Sequence, residues 1–323
     1  MIGACLSQGR AQTKSAVSYK NPVVDIAMPD PTVIKAADGY FYVYATESTR
    51  NVPIMKSKDL VEWTYCNTAF TNKTRPRFEP KAGIWAPDIN YINGKYVLYY
   101  AMSVWGGEQT CGIGVATANS PQGPFTDHGK MFRSNEIGVQ NSIDPSLLQY
   151  EGRNYLVWGS FRGIYVIELT ADGLSIMPGA KKKRIAGTAF EAVYIHKYGD
   201  YYYMFASIGS CCQGVKSTYK VVVGRSKKVW GPYKDKTGKP MLKNGYSLVI
   251  GANDHFVGNG HGSQIIRDDA GQDWLLYHGF SRSTPENGRI LLLDQIKWDQ
   301  EGWPYVEGGS PSYETQKAPV FNN

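Results

Sequence analysis

Asp30-Pro31-Thr32-Val33-Ile34, a turn at Asp38-Gly39, and Tyr40-Phe41-Tyr42-Val43-Tyr44-Ala45 form the stretch that decides the fold. A polar residue opens an apolar strand, a glycine-containing turn follows, and an aromatic-rich strand ends in a small residue. The same unit returns four times. The second copy runs Asp88 to Ile92, Asn93-Gly94, then Tyr96 to Ala101, and the third runs Asp144 to Leu148, Glu151-Gly152, then Tyr155 to Gly159. The fourth is Glu191 to Ile195, Gly199-Asp200, then Tyr201 to Phe205; the fifth starts at His261 and passes Ala270-Gly271 to Trp274-Leu275-Leu276-Tyr277. Asn-Gly and Asp-Gly pairs between apolar runs are strong hairpin signals, because their turns need positive φ.

Successive copies start roughly 50–70 residues apart, room for about four short strands each, the size of a propeller blade. Further turn signals between the hairpins, such as Pro121 to Phe125 and Trp230 to Tyr233, supply the remaining strands. The chain is therefore expected to be all-β, a five-bladed β-propeller. No linker-like composition shift interrupts residues 21–323, which read as one domain. An irregular β-sandwich is the rival architecture.

Composition agrees. Among 323 residues are Tyr 23, Phe 11 and Trp 8, with Gly 35 and Pro 17, against 20 % charged side chains. Aromatic residues suit pleated surfaces, and Gly and Pro punctuate them. Tyr40, Tyr99, Tyr155, Tyr202 and Tyr277 fall on the second strand of successive hairpins and are expected between blades. The 42 % hydrophobic content excludes disorder. No apolar run is long enough to span a membrane as a helix.

Net charge is +7 and the charge is scattered. The one dense run, Lys181 to Arg184, reads as a solvated loop, and nucleic-acid motifs with interleaved aromatics are absent. Cys5, Cys66, Cys111, Cys211 and Cys212 lack zinc-site spacing, and five is an odd number for a closed disulfide framework. Adjacent Cys211 and Cys212 are expected not to bond each other. All five read as free thiols. Residues 1–20 read as a flexible lead-in, with Gly9 and Ala11 at the spacing of a signal-peptidase site; this suggests the remnant of an export signal and a secreted or periplasmic protein.

In a propeller the first strand of each blade lines the central channel. Asp30, Asp88, Asp144, Glu191 and His261 lead the five copies and should converge there. Crowded carboxylates split their pKa values, which gives one site both an acid and a base. Glycoside hydrolysis needs that pair. Trp85, Phe161 and Trp105 lie near strand ends, where they could stack on sugar faces. Asp88 is the weakest catalytic candidate, since its place could equally serve a hydrogen bond between blades.

The chain resembles glycoside hydrolase family 43, and within it the arabinan endo-1,5-α-L-arabinanases, over about Asp30 to Tyr305. The resemblance is carried by Trp85-Ala86-Pro87-Asp88-Ile89, Asn141-Ser142-Ile143-Asp144-Pro145, Gly159-Ser160-Phe161 and Cys211-Cys212-Gln213-Gly214-Val215 with Ser217 to Lys220. It implies a five-bladed propeller that inverts the anomeric centre. By resemblance, Asp30 is the general base, Asp144 orients and tunes the acid, and Glu191 is the general acid. Trp85, Asp88, Asn141, Ser160 and Phe161 are expected to meet substrate. His261 matches a histidine that holds an axial calcium largely through water. The implied substrate is arabinan or an arabino-oligosaccharide, handled by a monomer. Pro29, Arg162 and the Gly262 after His261 depart from the arabinanase pattern and leave the three acids intact. An exo-acting α-L-arabinofuranosidase or β-xylosidase and a non-catalytic carbohydrate-binding propeller are the alternatives.

Overall fold

A computed structural model describes residues 17–322. Its strands form five sheets arranged as propeller blades, each antiparallel from the inner to the outer edge, and a sixth, two-stranded sheet that joins the two ends of the described chain. Blade I comprises Thr32–Lys35, Phe41–Tyr44, Pro53–Ser57 and Thr64–Thr68; blade II comprises Gly83–Ile92, Lys95–Ser103, Gly112–Ala118 and Thr126–Arg133. Blade III comprises Ser146–Tyr150, Arg153–Trp158, Ile164–Glu168 and Lys183–Ala186, and blade IV comprises Glu191–Tyr198, Tyr201–Ile208, Lys220–Ser226 and Ser247–Ile250. The hairpin turns behave as their residues dictate. Asn93 and Gly94 take φ of 48° and 81°, and Glu151 and Gly152 take 49° and 72°.

Blade V is built differently. Phe256–Gly260, Asp273–Ser281 and Ile290–Trp298 come from the end of the chain, while Val24–Ala27 from its beginning supplies the outermost strand. Ring closure thus joins sequence-distant segments, which the five-copy reading did not anticipate. Residues 1–16, most of the expected lead-in and Cys5 with it, lie outside the described residues. Ser18 and Tyr19, counted within that lead-in, instead pair with Lys317 and Gln316. Tyr19 is buried and donates its hydroxyl to the Leu293 carbonyl at 2.9 Å. No helix among the described residues is long and apolar enough to cross a membrane.

The core is divided rather than central. Each of the five largest hydrophobic clusters fills one seam between neighbouring blades. Tyr99 and Tyr277 are fully buried in two of these seams, and Tyr40, Tyr155 and Tyr202 pack against two others from partly buried positions. The tyrosine content is therefore largely the filling between wedge-shaped sheets, where a big ring covers much area at little rotamer cost. The basic run ends in the outer strand of blade III, and Lys182 donates to the Ile137 carbonyl at 2.8 Å.

Candidate active site

One residue per blade, near the start of the innermost strand in blades I to IV and directly after it in blade V, has a left-handed backbone: Asp30 (φ 54°), Ala86 (40°), Asp144 (56°), Ala192 (53°) and His261 (50°). Such a conformation costs a non-glycine residue about 1–2 kcal/mol, so five of them in one ring require compensation. The preceding blade provides it in four cases. Thr46 Oγ1 accepts the Ala86 N–H at 2.7 Å and Asp144 Oδ2 accepts the Ala192 N–H at 3.1 Å. Ser207 Oγ accepts the His261 N–H at 2.8 Å, and His278 Nδ1 accepts the Asp30 N–H at 3.0 Å.

This ring corrects the register of the repeat. Asp30, Asp144 and His261 hold equivalent places, but the equivalents in blades II and IV are Ala86 and Ala192. Glu191 stands one residue before its blade's left-handed position and Asp88 two residues after. Simple alternation along a strand does not account for which of them share a face, because the left-handed residue interrupts the regular strand at this point. Asp30, Asp144, Glu191 and His261 all line one cleft of about 640 Å³. Asp88 does not. It lines a narrow channel shared with Asp144 and His261. There its Oδ2 accepts from Asn90 Nδ2 and the Leu147 N–H, both at 2.7 Å, and its Oδ1 accepts from Gln264 Nε2 at 2.8 Å. Its expected contact with substrate is thus replaced by a tie joining blades II, III and V, because these donors occupy both carboxylate oxygens.

The three acids occupy unlike surroundings. Asp30 Oδ1 accepts from Arg289 Nη1 at 2.7 Å and faces His261 Nδ1 at 3.2 Å, while Thr46 donates to its Oδ2 at 2.6 Å. Burial by itself would raise the Asp30 pKa, but the Arg289 and His261 charges with the hydrogen bond from His261 hold it well below the usual carboxylate range. Burial and the adjacent Glu191 charge push Asp144 up to about 7. Glu191 is raised by burial, although Ser160 Oγ donates to its Oε2 at 2.6 Å and the Tyr219 hydroxyl also reaches it. One site therefore contains an ionised carboxylate opposite a pair that retains a proton near neutrality, the division an acid–base mechanism uses.

The other predicted residues arrange themselves around this set. Asn141 Nδ2 donates to Ser160 O at 3.1 Å and Oγ at 3.0 Å, so it orients the hydroxyl that binds Glu191. Trp85 and Phe161 are half-buried in the cleft wall. Trp85 meets Trp105 edge-on, with centroids 6.2 Å apart, and Trp105 is 80 % exposed. Arg162 turns outward and pairs with Glu108 at 2.7 Å. Sequence reasoning gave Thr46, Tyr219 and His278 no role. A signal for three such positions existed: Thr46 follows Ala45, Ser207 follows Ala206 and His278 follows Tyr277, each a polar residue at the end of a blade's second strand.

The cysteine reading is corrected in one place. Cys211 and Cys212 form a disulfide across Cα atoms 3.8 Å apart, and both line the cleft. That separation is shorter than most disulfides span. The loop accommodates it between Gly209 and Gly214, whose φ values of 90° and 56° are freely available to glycine. Cys66 and Cys111 are free thiols, as expected.

Residues 19–304 match the family description "Glycosyl hydrolases family 43". The extracellular endo-α-(1→5)-L-arabinanase 1 of Bacillus subtilis is 37 % identical over 290 residues, spanning 85 % of this chain and 86 % of its own. The extracellular exo-α-(1→5)-L-arabinofuranosidase of Cellvibrio japonicus is 36 % identical, spanning 86 % of each. Among solved structures, the Cellvibrio cellulosa α-L-arabinanase in complex with arabinohexaose superposes with a TM-score of 0.80 at 34 % identity, covering 89 % of this chain and 98 % of that one. With a cleft that gathers Asp30, Asp144 and Glu191, the chain is a glycoside hydrolase and belongs to glycosyl hydrolases family 43.

Proposed function

We propose that this enzyme hydrolyses α-1,5-linked L-arabinan with inversion, using Asp30 as general base and Glu191 as general acid. The observation that carries the reading is the meeting of these two carboxylates in one cleft in unlike surroundings. Asp30 stands against Arg289 and His261 and Glu191 against the Ser160 hydroxyl, which depress the first and leave the second raised. Glu191 gives its proton to the glycosidic oxygen as the bond to the anomeric carbon breaks. Asp30 takes a proton from the water that attacks the opposite face. Asp144, fixed by the Ala192 N–H, is raised by burial and the Glu191 charge, and the reciprocal repulsion of an ionised Asp144 would favour the proton on the acid. Trp85, Phe161 and the exposed Trp105 offer apolar faces to sugar rings along the cleft.

The relatives support arabinan as substrate, and their endo and exo activities occur at nearly equal identity to this chain. Internal attack is our first reading, and terminal release of arabinose is the alternative. Chromatography of products from linear arabinan decides between them: mixed oligomers mark internal attack and monomer alone marks terminal attack. NMR of the first-formed anomer tests inversion. Loss of turnover in Glu191→Gln and Asp30→Asn, with melting temperature unchanged, tests both roles. Near-parental activity in either overturns that assignment.

Extracellular relatives support a secreted enzyme, and acids supplied entirely by one chain support action as a monomer. For calcium we propose only water-mediated contact at His261. Among the described residues no three His, Cys, Asp or Glu side chains gather as a cage, and His261 turns Nδ1 to Asp30. A hard cation that prefers six to eight oxygens would take most of its shell from water and add positive charge to the acid cluster. No step is routed through it. Chelation followed by calcium titration, read as melting temperature, tests the contact; an unchanged value removes it.

A further inference from the structure

The cleft has an apolar surface that is not aromatic. Its lining from blade IV consists of Glu191 and the segment Gly209 to Gln213, in which the joined Cys211 and Cys212 carry the only apolar side chains. The aromatic faces come from elsewhere, Trp85 and Trp105 from blade II and Phe161 from the loop after the second strand of blade III. Cys211 is half-buried and Cys212 is exposed, so the bonded pair is open to whatever fills the cleft.

Its place beside the acid follows from strand register. Glu191 pairs across the sheet with Ser207, and the chain runs on from Ser207 through Gly209 to Cys211. The loop is pinned on both sides of the cysteines. The Thr218 and Tyr219 N–H groups donate to the Ser210 carbonyl at 3.0 and 3.1 Å. Thr218 Oγ1 accepts the Ser210 N–H at 3.0 Å, and Ser217 Oγ accepts the Gln213 N–H at 2.9 Å. A surface held this way loses little freedom when a ligand covers it. Joined sulfurs are polarizable and have no proton to donate, which suits the C–H face of a sugar ring.

We propose that the Cys211–Cys212 disulfide is a substrate-binding surface, packed on a sugar ring that flanks the scissile bond. Glu191 protonates the oxygen between two sugars, so the wall beside it meets one of their rings. Opening the bond replaces one fixed apolar face with two thiols and weakens binding, while every acid and base stays in place. The inference rests on Glu191 as general acid and on arabinan as substrate.

The test measures kcat and KM on linear arabinan, with thermal melting, for the parental enzyme and for Cys211→Ser/Cys212→Ser. Each is assayed with and without dithiothreitol, and Glu191→Gln is the control. The dithiol attacks one sulfur as thiolate, then closes on the mixed disulfide, leaving two cysteine thiols and one cyclic disulfide. Mass spectrometry of the alkylated protein reads whether the bond is open. Reduction should raise the parental KM about tenfold, the scale of one lost apolar contact, and reoxidation should restore it. The double variant should show that higher KM without dithiothreitol and no response to it, which excludes Cys66 and Cys111 as the source. A KM within about twofold of parental in the folded double variant overturns the proposal. So does a loss confined to kcat, which would make the disulfide a support for the acid. If the double variant does not fold, an unmoved KM in the opened parental enzyme overturns it; if the bond resists dithiothreitol, the double variant decides. Turnover by Glu191→Gln overturns the acid assignment, and a parental enzyme inactive on arabinan overturns the substrate; neither resembles a rise in KM alone.

Discussion

Arg289 Nη1 lies 2.7 Å from Asp30 Oδ1 in a site where both side chains are largely withdrawn from water. A guanidinium cannot lose its charge at any working pH, so it keeps the base ionised. Replacing Arg289 with Met should raise the Asp30 pKa and move the acid limb of the kcat/KM profile upward by about 1–2 pH units. An unmoved acid limb would show that Arg289 acts on substrate alone.

Asp144 and Glu191 act on each other in the opposite sense. Burial and the Glu191 charge raise Asp144, and because repulsion between two carboxylates is reciprocal, Asp144→Asn should remove repulsion that favours the proton on Glu191. The acid would then ionise at lower pH, and the alkaline limb of kcat/KM should shift downward, with kcat reduced at neutral pH. A pH series on linear arabinan checks this; an alkaline limb at its parental position contradicts it.

Asp88 should behave as a tie. Asp88→Ala strands the Gln264, Asn90 and Leu147 donors and should cost about 2–4 kcal/mol of stability, read by chemical denaturation. KM should stay near the parental value at temperatures where the variant is folded. A large KM increase with unchanged stability would restore it to substrate binding.

The same buried carboxylates set a pH dependence of folding. Burial raises Asp88 and Asp294 to about 6, and burial with the Glu191 charge raises Asp144 to about 7, all above their unfolded values. A raised folded pKa gives stability that is full below the unfolded pKa and is lost as pH rises through the folded one. Melting temperature should therefore fall between about pH 5 and about pH 8. Asp30, whose pKa is depressed, contributes the reverse: stability lost only as pH falls through its low folded value. A melting temperature that rises over the first interval would contradict the raised carboxylates.

Trp105 extends from the cleft wall with 80 % of its surface open. Trp105→Ala should raise KM for arabinan roughly tenfold, the worth of one covered aromatic face, and leave kcat nearly intact. A loss confined to kcat would place the indole with the reacting groups instead.

The sequence made the hairpins legible because turn chemistry and alternation are local. Asp30 and Asp144 were readable as equivalents since Asp-Pro opens both strands. The true register was not, because a left-handed backbone at Ala86 or Ala192 has no signature in an alanine. Glu191 was found through resemblance and a near-equivalence that proved one residue out of step. His278 and Arg289 come from the last blade and the base from the first, so their meeting depends on ring closure. Cys211 and Cys212 were misread because the general span of disulfides says little about a loop with glycines near both ends.

Val24–Ala27, the strand that latches blade V, ends three residues before Asp30. The chain's architectural fastener and the residue proposed to activate water are thus one continuous piece of backbone. A ring still open, whether on a ribosome before the last blade emerges or after a proteolytic nick that frees this strand, has no His278 or Arg289 beside Asp30. On the role proposed for Asp30, closing the ring is then a condition for hydrolysis as well as for stability.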